Sequence, residues 1–269
     1  MYTFENKKVL SLPIQTQYFP FFPTFMNYIL QNASPELLLK LYQCCKYFYL
    51  KSKITIAQNV RYENYLENKR IEFFFYEKEG FLSRSYSDVQ KLWLTDKLHI
   101  SSFAELGING NEFLNKIFRN DLKMIFIRTE STLFKELEIL SESPNLTEIE
   151  IASNVKSENG EPNPIEEIMV LFPNIKKFEI CPPYFTLESF QKLSKIKFSN
   201  KFQRIAFRMI KTQFDPITLC SFLKDNVNNN LDLYLTFGWD FDHLKLQLIP
   251  QIKEILNGWE KKKIKHFYF

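Results

Sequence analysis

An apolar spacing that returns along the chain constrains its fold more than any other feature. The spacing is apolar-x-x-apolar-x-apolar, and its copies begin at positions 71, 89, 122, 146, 175, 202 and 264. A further copy, Leu231 to Leu235, keeps the alternation in a shifted register. Alternating apolar side chains are typical of a strand with one buried face. The repetition therefore predicts a series of similar strands from residue 71 to the C-terminus.

Between the strand copies the apolar side chains recur every three or four residues, which predicts helices. These stretches are Ile165 to Phe172, Leu187 to Leu193, Leu219 to Leu223 and Leu248 to Trp259. Units of strand, turn and helix that cannot bury their own apolar faces stack into a solenoid. A doubly wound sheet is the alternative, and the lack of a Gly-rich phosphate-binding turn disfavours it.

Two of the strands are preceded by a Pro-Asn-apolar segment, Ser143-Pro144-Asn145-Leu146 and Phe172-Pro173-Asn174-Ile175. These segments closely resemble those common in F-box proteins of the leucine-rich-repeat type. From Val89 onwards successive copies begin 24 to 33 residues apart, in or just above the range of about 20–29 residues for such repeats. The resemblance implies an α/β fold in which residues 71–269 form an irregular leucine-rich-repeat-like solenoid of alternating strands and helices.

In such a solenoid the strand residues between the buried positions would line the concave face. Aromatic and arginine side chains predominate among the hot spots of protein interfaces. The candidate target-binding residues are therefore Trp93, Phe126, Arg128, Arg204, Arg208 and Tyr234. The Glu, Lys and Ala residues at the neighbouring positions are interpreted as solvated surface.

Residues 22–50 carry two short amphipathic helices with more apolar surface than the two can bury between them. Ser34 suits a helix N-cap and Pro35 a first helical position, so the second helix is predicted from about Pro35 to about Leu50. The first is predicted over about 23–31. An exposed apolar patch usually marks a protein interface, and packing on the rest of the chain is the alternative.

These helices resemble an F-box, the adaptor-binding motif of substrate receptors in SCF-type ubiquitin ligases. Phe22-Pro23 stands in place of the usual Leu-Pro, and Ile29-Leu30 stands at the Ile-Leu pair. Ser34-Pro35-Glu36-Leu37-Leu38 stands where Ser-Pro-Lys/Glu-Asp-Leu-Leu is common, and Leu41, Cys45, Lys46 and Phe48 match the end of the motif. The acidic residue that often follows the opening proline is absent. The resemblance implies an F-box-like helical module at residues 10–55 and a helical linker at 56–70.

The resemblance implies that the protein is the substrate-recognition subunit of an SCF-type ubiquitin ligase. The helices would bind a Skp-type adaptor and, through it, a cullin–RING ligase, while the concave face would bind a protein target. The implied adaptor-binding residues are Phe22, Pro23, Ile29, Leu30, Leu37, Leu38, Leu41 and Phe48. The alternative is a leucine-rich-repeat-like interaction scaffold without a ubiquitin role, whose first helices cap the solenoid.

A nucleic-acid-binding module is a further alternative, and the charges argue against it. The 35 basic and 31 acidic residues give a net charge of +4, too mild to indicate nucleic acid or an anionic membrane. Acidic residues also share the inferred concave face with the arginines, and they would repel phosphate. They are Glu148, Glu150, Glu179 and Asp232.

The composition also indicates in which cellular compartment the protein is expected. No apolar run approaches the roughly 20 residues that span a membrane. The four cysteines, Cys44, Cys45, Cys181 and Cys220, form no CxxC pair and are interpreted as free thiols in a reducing compartment. A cytoplasmic or nuclear protein is therefore expected.

Motifs of catalysis are missing from the sequence. It contains no GxSxG, P-loop, GxGxxG or HExxH motif, and its three histidines, His99, His243 and His266, lack zinc-ligand spacing. The cluster Asp240-Phe241-Asp242-His243 is interpreted as a polar turn and helix N-cap rather than a metal or acid–base site. We therefore expect no enzymatic activity, no cofactor and no metal.

Overall fold

The structure, a computed structural model, describes residues 22–44, 48, 50, 53–65, 68–74, 81–83, 89–102, 113–259 and 264–269. The chain divides into two compact units between Ser52 and Lys53. The first unit contains short helices and the second contains a large sheet.

In the first unit, α1 (Pro23–Asn32) and α2 (Pro35–Cys44) are helices of ten residues each. Proline occupies the first position of each helix, where its missing N–H costs no hydrogen bond. The Ser34 hydroxyl accepts a hydrogen bond from the Leu37 amide at 3.3 Å, so the predicted N-cap is confirmed. Each helix buries a single side chain, Met26 in α1 and Leu38 in α2.

The prediction of an F-box-like helical module at residues 10–55 is wrong. Within the described residues of this stretch, α1, α2 and the helical residues Phe48 and Leu50 are present, and they form no such module. The physical reason is that one buried side chain per helix is too little to build a helical core. Residues 10–21 of the predicted module lie outside the described residues.

The second unit is an 11-stranded sheet in the described residues. Its strands are β1 (Ile54–Tyr65), β2 (Asn68–Phe74), β3 (Phe81–Ser83), β4 (Lys91–Ser102), β5 (Ile117–Asn120), β6 (Met124–Leu133), β7 (Glu148–Lys156), β8 (Lys177–Cys181), β9 (Phe202–Ile210), β10 (Val227–Phe237) and β11 (Ile264–Tyr268). They are arranged in the order β11-β10-β9-β8-β7-β6-β4-β1-β2-β3, and β5 pairs with β4. All pairings are parallel except β1 with β2 and β2 with β3.

A helix follows each strand from β6 to β10. These helices are α3 (Phe134–Ser141), α4 (Ile165–Val170), α5 (Ser189–Leu193), α6 (Pro216–Asn226) and, after a 3-10 turn at Trp239–Phe241, α7 (Asp242–Asn257). Asp215 caps α6, because its carboxylate accepts from the amides of Ile217 and Thr218 at 3.1 and 3.2 Å. The predicted alternation of strands and helices is therefore present in this region.

One core lies between the helices and the sheet. The repeated apolar positions of the strand pattern, from Val89 to Phe207, are all buried in it, as predicted. Helix residues such as Leu137, Ile168, Phe222 and Ile252 complete the same cluster. Because strand side chains alternate between faces, this packing leaves the opposite face of the sheet to the polar residues.

The prediction of a leucine-rich-repeat-like solenoid is wrong. In a solenoid each unit contacts only its neighbours in the chain, so strands follow one another in chain order. Here β1 lies between β4 and β2, parallel to one and antiparallel to the other. The fold is α/β with one continuous, mainly parallel sheet in which the first three strands pair antiparallel to one another.

The helical linker predicted at residues 56–70 is also wrong, because this stretch contains most of β1 and the start of β2. β1 pairs with β4 from Ile54 to Asn64, and its second half pairs with β2. Ala57, Val60 and Tyr62 are buried in the core. Branched and aromatic side chains that become buried on a sheet favour a strand over a helix.

Candidate functional site

We call polar face a set of exposed or half-buried side chains that alternate with core positions along the sheet. They are Lys97, His99, Phe126, Arg128, Glu148, Glu150, Lys177, Glu179, Arg204, Arg208, Asp232, Tyr234, His266 and Tyr268. The parallel register brings them into rows that cross the strands. One row runs Glu148, Lys177, Arg204, Asp232, His266.

Complementary side chains meet at the two ends of this row. Lys177 Nζ lies 2.7 Å from Glu148 Oε1 on the neighbouring strand. Asp232 Oδ1 lies 2.7 Å from His266 Nδ1. In the middle of the row the register places the like charges of Lys177 and Arg204 opposite each other, so these two side chains depend on carboxylates elsewhere on the face.

Glu179 is the centre of this network. It accepts from Arg208 Nε, and Arg204 Nε lies 4.0 Å from its other carboxylate oxygen, close enough for an ion pair but too far for a hydrogen bond. The Glu179 side chain is 16% exposed, whereas the two arginines are 36–38% exposed. The Glu179 carboxylate is therefore more buried than the two arginine side chains that lie beside it.

The same two arginines lie over the ring of Tyr234, which belongs to an aromatic pair at the β10–β11 end of the face. Arg204 Cζ lies 4.7 Å and Arg208 Cζ 5.2 Å from the ring centre of Tyr234. The ring of Tyr234 lies parallel to that of Tyr268, with 4.3 Å between centres and 5° between planes. Cation–π and stacked contacts hold these large side chains in fixed positions, so this end of the face is preorganised.

Next to the arginines is a second acid, Glu150, which the register places directly beside Glu179. Burial raises the pKa of Glu150, and the negative charge of Glu179 raises it further, while Arg208, Arg128 and Arg204 oppose the rise. Glu150 also lines a shallow depression of about 80 Å³. The neighbouring arginines neutralise the negative charge of Glu150 only in part, so this carboxylate would stabilise a cation or a hydrogen-bond donor from a partner.

Five of the six predicted target-binding residues lie on the polar face. Phe126, Arg204, Arg208 and Tyr234 are half-buried and Arg128 is exposed. The structure brings Arg204, Arg208 and Tyr234 into direct contact. Phe126 instead meets His99, edge to face at 6.3 Å.

Trp93, the sixth predicted residue, has a different environment. Its side chain is 1% exposed, its Nε1 donates to Asp121 Oδ2 at 2.7 Å, and Arg119 Cζ lies 4.3 Å from its ring. Alternation correctly separates Trp93 from the core positions Leu92 and Leu94, but Arg119 of β5 and Asp121 just after β5 lie against its side chain. In this structure Trp93 is not placed to contact a partner.

The residues expected to bind an adaptor are divided between surface and interior of the first unit. Phe22, Pro23 and Leu37 are exposed, and Ile29, Leu30 and Leu41 are half-buried. Leu38 and Phe48 are buried. The exposed members, together with Phe25 and Tyr28, give this unit an apolar surface.

Sequence reasoning missed the role of Glu179, which was interpreted as solvated surface. A signal was present, because the aligned positions Glu148 and Lys177 carry opposite charges, and Arg204 and Arg208 lie two residues to either side of the position aligned with Glu179. Opposite charges at directly opposite or diagonal positions indicate cross-strand ion pairs once the strands are known to be neighbours.

Three further features concern the described residues. No group of three or more His, Cys, Asp or Glu side chains suited to a metal ion occurs within them. None of the helices in the described ranges has the length and apolar character needed to cross a membrane. Cys44, Cys181 and Cys220 are free thiols, and Cys45 lies outside the described residues.

The chain was also compared with known proteins. It matches no model of a protein family, no curated protein and no solved structure.

Proposed function

We propose that the protein is a non-catalytic binding protein that holds a protein target on the polar face of its sheet. The observation that carries the proposal is the preorganised cluster of Arg204, Arg208, Tyr234 and Tyr268 around Glu179. Arginine and tyrosine are the side chains most often found at interface hot spots, and rigid ones lose little conformational entropy on binding. This cluster would form the centre of the interface.

The balance of charge favours a protein over a nucleic acid as the partner. The polar face from β6 to β10 carries four cations, Arg128, Lys177, Arg204 and Arg208, and four carboxylates, Glu148, Glu150, Glu179 and Asp232. A phosphate backbone requires a surplus of positive charge. A mixed surface of this kind instead selects a partner with complementary charges at matching positions.

The proposal is tested by capture experiments with matched variants of the whole chain. Arg208→Glu combined with Tyr234→Ala should lose the proteins that the unchanged chain retains. Leu246→Asp, at an exposed position of α7, should retain them. A retained protein must then bind the purified chain saturably, and must bind the double variant about tenfold or more weakly. Equal affinity of the unchanged chain and the double variant would show that the polar face is not the binding site.

Nucleic acid is examined separately with a single-stranded oligonucleotide as the probe. Tight binding with a steep dependence on salt concentration would contradict the proposal and favour a nucleic-acid-binding module. Weak binding that Arg208→Glu leaves unchanged would agree with a protein partner.

The role of substrate receptor in an SCF-type ubiquitin ligase is the narrower form of this proposal. It is supported by the motif resemblance and by the exposed apolar side chains of the first unit, with Phe22 80% and Leu37 47% exposed. In this role the first unit would bind a Skp-type adaptor and, through it, a cullin–RING ligase. The receptor would act by raising the effective concentration of target lysines near the ubiquitin carrier. Its proposed compartment is the cytoplasm or nucleus.

Calorimetry with a purified Skp-type adaptor tests the narrower form. Saturable one-to-one binding that Leu37→Asp abolishes, and that Leu246→Asp retains, would support it. Absence of binding at about 50 µM adaptor would remove the ubiquitin role and leave an interaction scaffold. The test of target binding at the polar face does not depend on the adaptor result, because it uses variants of Arg208 and Tyr234 rather than of Leu37.

A further inference from the structure

Two oppositely charged side chains on adjacent strands of the polar face form no pair with each other. They are Arg128 on β6 and Glu150 on β7. The two glutamates closest to Glu150 on this face, Glu148 and Glu179, each have a basic partner. Within the described residues, the side chains of Arg128 and Glu150 take part in no ion pair and no hydrogen bond. Both charges are therefore left for a partner that carries the opposite charges at matching positions.

The register of β6 and β7 sets the distance between these two side chains. Glu150 is directly opposite Phe126, and Arg128 is two residues further along β6. Strands are about 4.8 Å apart and two residues of a strand cover about 6.6 Å, so the two α carbons are about 8 Å apart. The residue directly opposite Arg128 is Ala152, whose side chain offers no charge to pair with it.

An extended segment of a partner presents its side chains at a similar spacing. Residues i and i+2 of a strand point to the same side and are about 6.6 Å apart. An acid and a base two positions apart can therefore reach Arg128 and Glu150 at the same time. A helix suits the site less well, because an acid and a base three or four residues apart on one of its faces pair with each other.

The shallow depression beside Glu150 indicates which base the segment carries. Its volume is about 80 Å³, far below the roughly 300–1,000 Å³ of small-molecule pockets, so it holds the end of one side chain. Three carboxylates and two cations line it, namely Glu148, Glu150, Glu179, Lys177 and Arg204. The ring of Phe126 also lines it. A guanidinium suits this lining best, since it binds a carboxylate through two N–H groups and stacks on an aromatic ring.

From these observations we infer that the target is held through an extended segment with an acidic residue and an arginine two positions apart. The arginine enters the depression, where its guanidinium contacts Glu150 and Phe126. The acidic side chain contacts Arg128. The inference rests on the proposed function, because it names the chemistry of the partner that the same polar face binds.

The inference is tested on the whole chain with seven-residue peptides, acetylated and amidated, by chemical-shift changes of the backbone amides. Thr-Thr-Glu-Thr-Arg-Thr-Thr should bind saturably in the millimolar range, with the largest changes in β6 and β7. Thr-Thr-Glu-Arg-Thr-Thr-Thr has the same composition and net charge, but its charged side chains point to opposite sides when it is extended. It should bind about fivefold more weakly, because it can form only one of the two ion pairs. Equal affinity of the two peptides, or absence of saturation at about 20 mM, would overturn the inference.

Charge reversal gives a second measurement. Glu150→Lys should lose the peptide with Glu-Thr-Arg at its centre and bind one with Glu-Thr-Glu instead, and Arg128→Glu should change the preference to Arg-Thr-Arg. Glu150→Gln removes the charge without introducing a new one, and it should weaken the Glu-Thr-Arg peptide about fivefold. Glu138→Lys, at an exposed position of α3, changes the net charge as Glu150→Lys does and should leave the preference unaltered. The same change of preference in both lysine variants would overturn the inference, since net charge alone would explain it.

The capture experiment distinguishes failure of the inference from failure of the proposed function. If Arg208→Glu with Tyr234→Ala loses the retained protein while Glu150→Lys binds it with full affinity, the inference is wrong and the proposed function stands. Loss of the retained protein in both variants supports the inference. Full affinity in both contradicts the proposed function and, with it, the inference.

Discussion

Arg208 on β9 donates through Nε to the carboxylate of Glu179 on β8, and the same guanidinium lies 5.2 Å from the ring centre of Tyr234 on β10. One side chain therefore connects three adjacent strands on the polar face. The hydrogen bond to Glu179 also raises the pKa of Arg208, which favours the charged form of a guanidinium that proteins already keep protonated. The arrangement gives the face a charged centre with a fixed orientation.

Replacing Arg208 with methionine should lower the free energy of unfolding by about 1 kcal/mol, a modest value because the pair is partly solvated. The loss follows because Glu179 would keep only Arg204, at 4.0 Å. Urea unfolding monitored by circular dichroism measures it. Arg128→Met, at an exposed position of β6, is the control and should change stability less. A larger loss for Arg128→Met would contradict the central role of Glu179.

Glu150→Gln should stabilise the protein at neutral pH. The pKa of Glu150 is higher in the folded state than in the unfolded state. At a pH above the ordinary pKa of glutamate, the folded protein therefore holds the Glu150 proton more often than the unfolded chain does. The free energy of unfolding then decreases as the pH rises through the folded-state pKa of Glu150. The gain from Glu150→Gln should be present at pH 7 and disappear below the ordinary pKa of glutamate, about 4.3.

The control for that prediction is Glu148→Gln on the same strand and face. Glu148 is paired with Lys177 at 2.7 Å, so its substitution should lower stability at neutral pH. Thermal unfolding of the three proteins between about pH 4 and pH 8 compares them. If Glu150→Gln and Glu148→Gln shifted stability in the same direction at pH 7, the proposed environment of Glu150 would be incorrect.

Tyr268→Ala should loosen β11, the edge strand of the sheet. Tyr268 is stacked on Tyr234, and such an aromatic pair contributes about 0.5–1.5 kcal/mol beyond its buried area. Amide hydrogen exchange should therefore accelerate in β11 while β8 and β9 stay protected. Lys265→Ala, at an exposed position of the same strand, should leave exchange nearly unchanged. Uniform acceleration across all strands would show that the stack does not act locally.

Phe190→Ala should be the most damaging of these substitutions, at about 3–5 kcal/mol. The Phe190 ring is 1% exposed and its centre lies 5.2 Å from Phe185, 5.5 Å from Phe214 and 5.9 Å from Phe222. Removing it would leave a cavity among rings that cannot collapse into it. Urea unfolding measures the loss, and Ile217→Ala, at a 67% exposed position, should cost far less. Comparable losses would contradict the packing of this cluster.

The apolar pattern predicted which residues are buried more successfully than it predicted which strands are neighbours. Leu122, Ile125 and Ile127 are all in the core, as their spacing required. That spacing reports the face on which a side chain lies and carries no information on the identity of the adjacent strand. The position of β1 beside β4 depends on pairing between residues far apart in the chain, and the solenoid prediction failed there.

In the candidate site too, the sequence predicted the face on which a side chain lies but not the side chains that it contacts. Alternation correctly placed Arg204, Arg208 and Tyr234 on a face opposite the core, but their contacts depend on the register of β8, β9 and β10. Trp93 was predicted on the same alternation, and its burial depends on Arg119 and Asp121. A pocket of about 250 Å³ lined by Val155, Ile180 and Lys211 could not be predicted, because the ends of β7, β8 and β9 combine to form it.

The strand order has a consequence for how the chain assembles as it is synthesised. From β7 onwards each new strand pairs with the one made before it, so this part of the sheet can grow on the ribosome one strand at a time. β1 is different, because its parallel partner β4 is made only after β2 and β3 have emerged. A nascent chain stopped before Lys91 would hold β1 with one of its two edges unpaired, exposed to chaperones or to other chains.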